Sequence, residues 1–501
     1  MSKYFLVFLL TTTLFSCSSL QSYNKHPKTE FRGVWIATVV NIDWPKNGLD
    51  TIEKQKKDYL EILDFYQNLN FNAVIVQIRA AGDSFYASDK APWSRYLTGK
   101  EGKAPEQNFE VLEWMISEAH SRGMEFHAWL NPYRATFDLK TEVLSPTHDF
   151  NTHPEWMLKY GKKYYYNPGL PEVREKLASI IKEVVHKYDI DAIHFDDYFY
   201  PYKIKDAIFE DQSCFEFYKH PNQSLEDWRR SNIDSLIKNT HQTIKKEKPW
   251  VQFGVSPFGV WKNNSTDPKG SDTKAGVTTY EDLYADPLLW MQKGWLDYVI
   301  PQVYWSMDLP VASHNKIVNW WAKNKSNSNI YIGNGAYKIR NNSDKAWENK
   351  KELPNQLKLT RNTKEMGGNA FFSAKSLIQK NPDVVDYIQK KYYKKSALNP
   401  ISPLKKETIK EVKIKGLKIT SDTIQFSINT TAKIRYALFY SSGKKLKDTY
   451  PITKLLTKTN INNKHQFIIP LKKLKSKKQV AVSFIDYYGQ ESEPIVLNLR
   501  P

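Results

Sequence analysis

Short apolar runs alternate with amphipathic stretches along most of the chain. The first run, Phe31 to Val40, reads as a strand, and the segment after it sets Ile52, Tyr59, Leu60, Leu63, Tyr66 and Leu69 on one helical face. Asp50 and Glu53 fit a capping box for that helix. The unit then repeats. Ala73 to Ile78 predicts a second strand and Phe109 to Arg122 a second helix, with Asn108 as its cap and Gly123 as its stop. Phe126 to Leu130 predicts a third strand, and Pro171 opens a helix whose buried face is Val173, Leu177, Ile180, Ile181, Val184 and Tyr188. Further strands are expected at Ala192 to Phe195, Gln252 to Ser256, Tyr298 to Val303, Ile330 to Ile332 and Ala370 to Phe372. Eight strand–helix units over residues 30–392 predict an α/β fold, a (β/α)8 TIM barrel.

Loop lengths say which end of that barrel carries chemistry. Helix-to-strand connections are short: Asn70 to Asn72, Gly123 to Glu125, Asp189 to Asp191 and Gly294 to Asp297. Strand-to-helix connections include Ala80 to Gln107, Arg134 to Leu170, Tyr198 to Ser224 and Val260 to Tyr284. The elaboration is all at the C-terminal end of the strands, where barrels build their sites, and it supplies walls for a groove.

After Tyr393 the pattern changes. Lys394, Lys395, Asn399, Pro400 and Pro403 mark a linker over 393–410, and residues 411–501 alternate with period two, as in Thr423 to Ile428, Ile434 to Phe439, Gln466 to Ile469 and Val480 to Ile485. They predict a small all-β sandwich of fibronectin-III-like or immunoglobulin-like type. Residues 401–501 hold 20 Lys+Arg against 7 Asp+Glu, a formal +13 of the chain's +19, so the basic character belongs to this tail. Its densest cluster, Lys472, Lys473, Lys475, Lys477 and Lys478, would suit anionic lipid or acidic wall polymer, or be a solvated loop.

With 501 residues, 41% of them hydrophobic and 14% aromatic, the chain is neither disordered nor collagen-like. Two cysteines, Cys17 and Cys214, exclude a disulfide scaffold and a Cys-rich metal cluster. The apolar run Tyr4 to Phe15 behind Lys3 is too short for a permanent transmembrane helix and sits where a secretory signal sits. It ends Leu14-Phe15-Ser16-Cys17, the order of a lipoprotein processing site. Residues 1–16 are therefore expected to be a signal peptide and 17–29 a polar tether behind a lipidated Cys17, giving an exported, membrane-anchored lipoprotein, with the outer membrane as its expected location. An exported lipoprotein has little opportunity to meet nucleic acid.

Candidate chemistry gathers at strand ends. The fourth strand ends His194-Phe195-Asp196-Asp197-Tyr198-Phe199-Tyr200-Pro201, and alternation puts His194 and Asp196 on one side with Phe195 packed outward. Adjacent carboxylates push one pKa upward, so one site can hold both a proton donor and a carboxylate at neutral pH. The competing reading is structural: Asp197 caps a turn and Asp196 pairs with a base such as Arg79. Other strand ends converge on the same face, with Arg32 to Trp35 on the first strand and Asp43 and Trp44 after it, Gln77, Arg79 and Asp83 on the second, and Trp129, Asn131 and Arg134 on the third. Ser256 on the fifth, Gln302, Tyr304 and Trp305 on the sixth, and Asn334 and Tyr337 after the seventh complete the set. Hydrogen-bonding groups interleaved with Trp and Tyr suit a sugar, whose hydroxyls take directional bonds while its apolar face stacks on a ring. Trp35 and Trp129 could equally be barrel packing. His120, His127, His148, His153 and His194 show no HExxH or paired spacing, and no serine-hydrolase elbow, Walker loop or dinucleotide glycine pattern occurs, so neither metal nor cofactor is expected.

Phe31-Arg32-Gly33-Val34-Trp35 with Asn41-Ile42-Asp43-Trp44-Pro45, then Ala128 to Arg134, His194 to Pro201, Ser256-Pro257-Phe258-Gly259 and Pro301 to Trp305, together resemble the glycosyl hydrolase-like 10 family over about residues 30–392. The resemblance implies a barrel glycosidase of bacterial lipoproteins; a proteobacterial member of this type acts on peptide-stripped peptidoglycan strands.

Adjacent aspartates are too close along the chain to flank a scissile bond from opposite faces. Two mechanisms follow. In one, the 2-acetamido group of an N-acetylhexosamine is the nucleophile, and one of Asp196 and Asp197 orients it while the other protonates the leaving oxygen. In the other, Asp196 works with a distant carboxylate, for which Asp43, Asp83, Glu281, Asp282 and Asp308 are candidates. A glycan-binding envelope lipoprotein without catalysis, and a hydrolase of some other extracellular polysaccharide, are the alternative functions.

Overall fold

The computed structural model describes residues 26–106, 109–378, 380–404, 409, 411–441, 454–460, 466–470, 474 and 479–499. The expected signal, lipidated Cys17, the cap Asn108 and the Lys472–Lys478 cluster lie outside the described residues.

Eight parallel strands close a barrel: β1 (Phe31–Ile36), β2 (Ala73–Arg79), β3 (Glu125–Leu130), β6 (Ala192–Phe195), β7 (Gln252–Val255), β8 (Tyr298–Val299), β9 (Asn329–Asn334) and β10 (Met366–Phe371). A separate hairpin, β4 (Met157–Tyr160) and β5 (Lys163–Tyr166), stands in the connection after β3. Because both faces of a parallel sheet are covered, strands such as Ala-Val-Ile-Val-Gln-Ile-Arg in β2 are buried throughout. The two faces sort as the period-two pattern demands. Val34, Val74, Val76, Ile193 and Phe195 join the helices in an outer core, while Phe31, Trp35, Ile75, Trp129, Tyr298 and Tyr331 fill the interior. Phe31 stacks on Tyr331 at 4.1 Å between ring centres. Gly254 is required by this aromatic filling, since a Cβ there would lie 2.1 Å from the Tyr298 ring.

Several boundaries differ from the pattern, each for a visible reason. The first strand ends at Ile36 rather than Val40 because side chains take its next amides: Ala37 N–H donates to Asp43 Oδ2 at 2.8 Å, and Thr38 and Val39 N–H donate to Gln77 Oε1 at 3.1 and 2.9 Å. The next helix, Ile52–Asn68, is capped by Thr51 rather than by Asp50, which pairs instead with Lys54 Nζ at 2.6 Å. The helix Val111–Ser121 starts behind Glu110, and Gly123 does end it, at φ +72°. β8 stops at Val299, short of the expected Val303, because Pro301 has no amide to donate; beyond it Gln302 bridges Phe258 and Gly333 singly.

The tail forms two antiparallel sheets. One runs β11 (Lys413–Ile419), β12 (Thr423–Asn429), β15 (Gln466–Pro470); the other runs β14 (Lys454–Asn460), β13 (Ile434–Ser441), β16 (Gln479–Asp486), β17 (Ile495–Asn498). Phe426, Phe439, Phe467 and Phe484 meet between them. This sandwich packs on the foot of the barrel, the end with the short turns. Arg435 binds Asp191, Asp189 and His120, Lys458 Nζ donates to Gly123 O at 3.0 Å, and Tyr487 packs against Trp250. The segment between the domains is also held: Leu398 exchanges backbone hydrogen bonds with Lys28 and Glu30, and Ser402 Oγ donates to Asp297 at 2.5 Å. The opposite end of the barrel is left open.

Candidate active site

At that open mouth lies a cavity of about 560 Å³, within the roughly 300–1,000 Å³ range of ligand clefts. Asp196 and Asp197 line it, immediately past the last residue of β6, at 8% and 3% exposure. Asp196 Oδ1 accepts from the Asp197 backbone N–H and from Gln302 Nε2, both at 2.9 Å, and Tyr202 OH donates to Asp197 Oδ2. Burial, followed by the negative charge of Asp197, drives the Asp196 carboxyl well above the usual carboxylate range. Burial raises Asp197 as well, against the hydrogen bonds it receives. The pair therefore carries a proton to higher pH than isolated carboxyls would, and it titrates as a unit.

The structural reading of these acids is not what the fold shows. Arg79 does not pair with Asp196; its guanidinium donates to Asn131 O at 2.7 Å and Pro132 O at 3.2 Å. The turn after β6 is made by backbone, Phe199 N–H to Asp197 O, not by the Asp197 side chain.

His194 lies one layer beneath the mouth. Trp35 Nε1 meets its Nε2 at 3.3 Å, and Ser256 Oγ meets the same nitrogen at 2.9 Å. An indole N–H can only donate, so Nε2 accepts and the proton sits on Nδ1, 3.2 Å from Tyr298 OH. Burial holds this imidazole neutral. Gln302 is oriented by its second contact, Nε2 to Ser256 O at 3.0 Å, so β6, β7 and the segment after β8 jointly fix the acid pair.

Eleven further residues expected at this face line the cavity: Trp35, Gln77, Trp129, Asn131, Arg134, Tyr198, Ser256, Gln302, Tyr304, Trp305 and Tyr337. Two of them offer unused donors. Trp129 Nε1 and Asn131 Nδ2 are buried with no partner among the described residues. An orphan buried donor costs about 1–3 kcal/mol, which a ligand oxygen placed there would offset. The walls are rings: Phe258 meets Trp305 at 5.4 Å, Tyr304 meets Phe372 at 6.1 Å, and Arg134 lies 4.7 Å over Tyr198.

Six residues expected at the sugar do not line the cavity: His194, buried beneath it, and five others. Asp43 braces two loops, accepting from Ala37 N–H, Ser373 Oγ and Lys375 N–H at 2.8–2.9 Å. Trp44 turns into the outer core, its indole donating to Gln55 O at 2.7 Å. Arg79 serves the backbone after β3, Asp83 accepts from Ala81 N–H at 3.2 Å, and Asn334 donates to Gln356 Oε1 at 2.9 Å. Each takes at least one partner from the scaffold, although Arg79 Nε, Asp83 Oδ2 and Asn334 Oδ1 stay buried without one among the described residues. Nor do the distant carboxylate candidates Asp43, Asp83, Glu281, Asp282 and Asp308 line it; Asp282, for one, pairs with Lys203 at 2.8 Å. Lining residues that the pattern did not single out are Tyr202, Lys163, Lys338, Phe137 and Phe372. Tyr202 follows directly on the motif ending at Pro201, and the run Lys163-Tyr164-Tyr165-Tyr166 carries a strand signal inside what reads as one long loop.

The model of the glycosyl hydrolase-like 10 family matches residues 30–349. Glycosyl hydrolase YngK of Bacillus subtilis (strain 168) is 44% identical over 437 residues, 84% of this chain and 85% of that protein. Glycosyl hydrolase DigH of Escherichia coli (strain K12) is 35% identical over 385 residues, 72% of this chain and 87% of that protein. Among solved structures, the PgaB (BpsB) glycoside hydrolase domain from Bordetella bronchiseptica superposes with a TM-score of 0.49 at 12% identity, covering 73% of this chain and 99% of that one. A parallel barrel with a ring-lined mouth and a matching family model over most of that barrel lead to one conclusion: the chain belongs to the glycosyl hydrolase-like 10 family and is a glycoside hydrolase.

Proposed function

We propose that this hydrolase cleaves N-acetylhexosamine-containing glycan, specifically peptide-stripped peptidoglycan strands, with Asp196 and Asp197 as its catalytic pair. The observation that carries the reading is the pair itself: two adjacent buried carboxyls, both raised, at the floor of an aromatic cleft with no third carboxylate among the described lining residues. That composition suits substrate assistance. The acetamido carbonyl oxygen attacks C1, the protonated member of the pair gives its proton to the departing glycosidic oxygen, and the ionised member holds the acetamido N–H as positive charge develops. Water then opens the oxazoline, returning the proton to the pair. Trp35, Trp129, Asn131, Tyr198, Ser256, Gln302, Tyr304 and Trp305 are the proposed substrate contacts, the free donors of Trp129 and Asn131 taking sugar oxygens and His194 positioning Ser256 from below.

The Leu14-Phe15-Ser16-Cys17 order supports lipidation at Cys17 and anchoring to the outer membrane, and the sheet orders β11-β12-β15 and β14-β13-β16-β17 support a fibronectin-III-like tail. Digestion of purified sacculi, intact and amidase-treated, with products separated by mass, tests the substrate. Release of disaccharide-length products from treated sacculi alone is the expected result, and no release from either would remove the peptidoglycan reading in favour of another polysaccharide.

A further inference from the structure

Two cations share one wall of the cleft with no acid set between them. Arg134 follows β3, and its backbone pairs with Tyr165 on β5, two residues along the strand from Lys163, so the hairpin brings both side chains to the cavity lining. Several arginines of the chain are closed into carboxylate pairs, such as Arg229 with Asp211 and Arg361 with Glu30, both at 2.5 Å, and Arg79 is spent on backbone carbonyls away from the cavity. Arg134 instead donates to Ala80 O at 3.2 Å and covers the Tyr198 ring, and no carboxylate lies within 4.0 Å of it or of Lys163 among the described residues. Arg134 is near enough to Asp196 for its charge to be felt there, whereas Lys163, half-buried, is acted on by the like charge of Arg134 alone. Lys338, across the mouth, differs: the charge of Asp344 reaches it. Two like charges held together in a partly desolvated wall are costly unless an anion comes to them.

Resting on the proposed substrate, we infer that Lys163, backed by Arg134, is a specificity-determining residue that binds the lactyl carboxylate which loss of the stem peptide uncovers. In an unstripped strand that carbon is an amide, neutral and continued by peptide; in a stripped strand it is an anion with two free oxygens. A single ammonium at that wall separates the two by charge as well as by bulk.

The test uses the full chain on stripped strands, either with free lactyl carboxylates or with the same carboxylates capped as methylamides. The wild-type kcat/KM should be about 10–100-fold higher on the free strands, the worth of one charge-assisted hydrogen bond. In Lys163→Gln that ratio should fall toward one, and in Lys163→Arg it should be largely restored, which a merely structural lysine would not do. An alternating N-acetylhexosamine–uronate polymer, whose carboxylate sits directly on the ring, should not be cleaved. Equal wild-type rates on free and capped strands, an unchanged ratio in Lys163→Gln, or preferential cleavage of the uronate polymer would overturn this inference and leave the acid pair standing. Hydrolysis of neither strand by the wild type would overturn the substrate reading together with it.

Discussion

One strand carries two buried acid clusters, and its ends treat them oppositely. At the foot, Asp191 just ahead of β6 is desolvated, yet Arg435 and His120 more than offset that burial and hold its carboxyl far below the ordinary range. At the mouth, Asp196 and Asp197 just past β6 are equally hidden but have each other for company, and both are raised. Residue type and burial are the same at both ends. The difference is the nearest charge, so one end is a fastening and the other keeps its proton to higher pH, as the proposed catalytic role requires.

The contrast can be broken at either end. The largest expected effect is on rate: Asp196→Asn or Asp197→Asn should lower kcat by about 10²–10⁴-fold while the chain stays folded by circular dichroism, and near-wild-type turnover in both variants would remove the assignment. At the foot the effect should be on stability. Arg435→Ala leaves the buried Asp191 with only His120 and the Phe126 N–H as partners and should cost about 3–5 kcal/mol in denaturant unfolding, without moving the pH optimum of hydrolysis. Tyr202→Phe takes a hydrogen bond from Asp197 and should lower kcat about tenfold and shift the acid limb of the rate profile upward; an unmoved acid limb counts against that role.

The smallest effect separates the ends by pH. A carboxyl raised by folding destabilises the folded state once pH exceeds its unfolded pKa. Asp196→Asn should therefore gain about 0.5–2 kcal/mol near pH 7 and nothing near pH 3, where both acids are protonated in either state. Asp191 has the reverse sign: its contribution is complete above the ordinary carboxylate range and is lost as pH falls toward its lowered pKa. Thermal melts of the wild type and both variants across that range would show whether the two signs hold.

Period and loop length were sufficient to find the barrel, its elaborated end and two adjacent carboxyls that line the cavity there, because these depend on local alternation that one chain segment carries by itself. Side-chain destination was less legible. Trp35 lies inside the first apolar run and Trp44 follows it, yet Trp35 reaches the cavity and Trp44 the outer core, and between them Asp43 captures the Ala37 amide and bends the chain. Lys163 is hidden for a similar reason, since nothing local tells that a hairpin in a long connection folds back beside Arg134. Arg435 meets Asp191 from 244 residues away, a separation at which no sequence pattern speaks.

Glu30 enters the barrel from below: its amide binds Leu398, Lys28 reaches Glu491 of the sandwich at 2.6 Å, and β1 then climbs toward the cleft. The described chain thus begins at the base, a full strand length away from the ring-lined cavity, so that a load applied through Lys28 and Glu30 would be borne by the sandwich and the barrel foot before it reached the mouth.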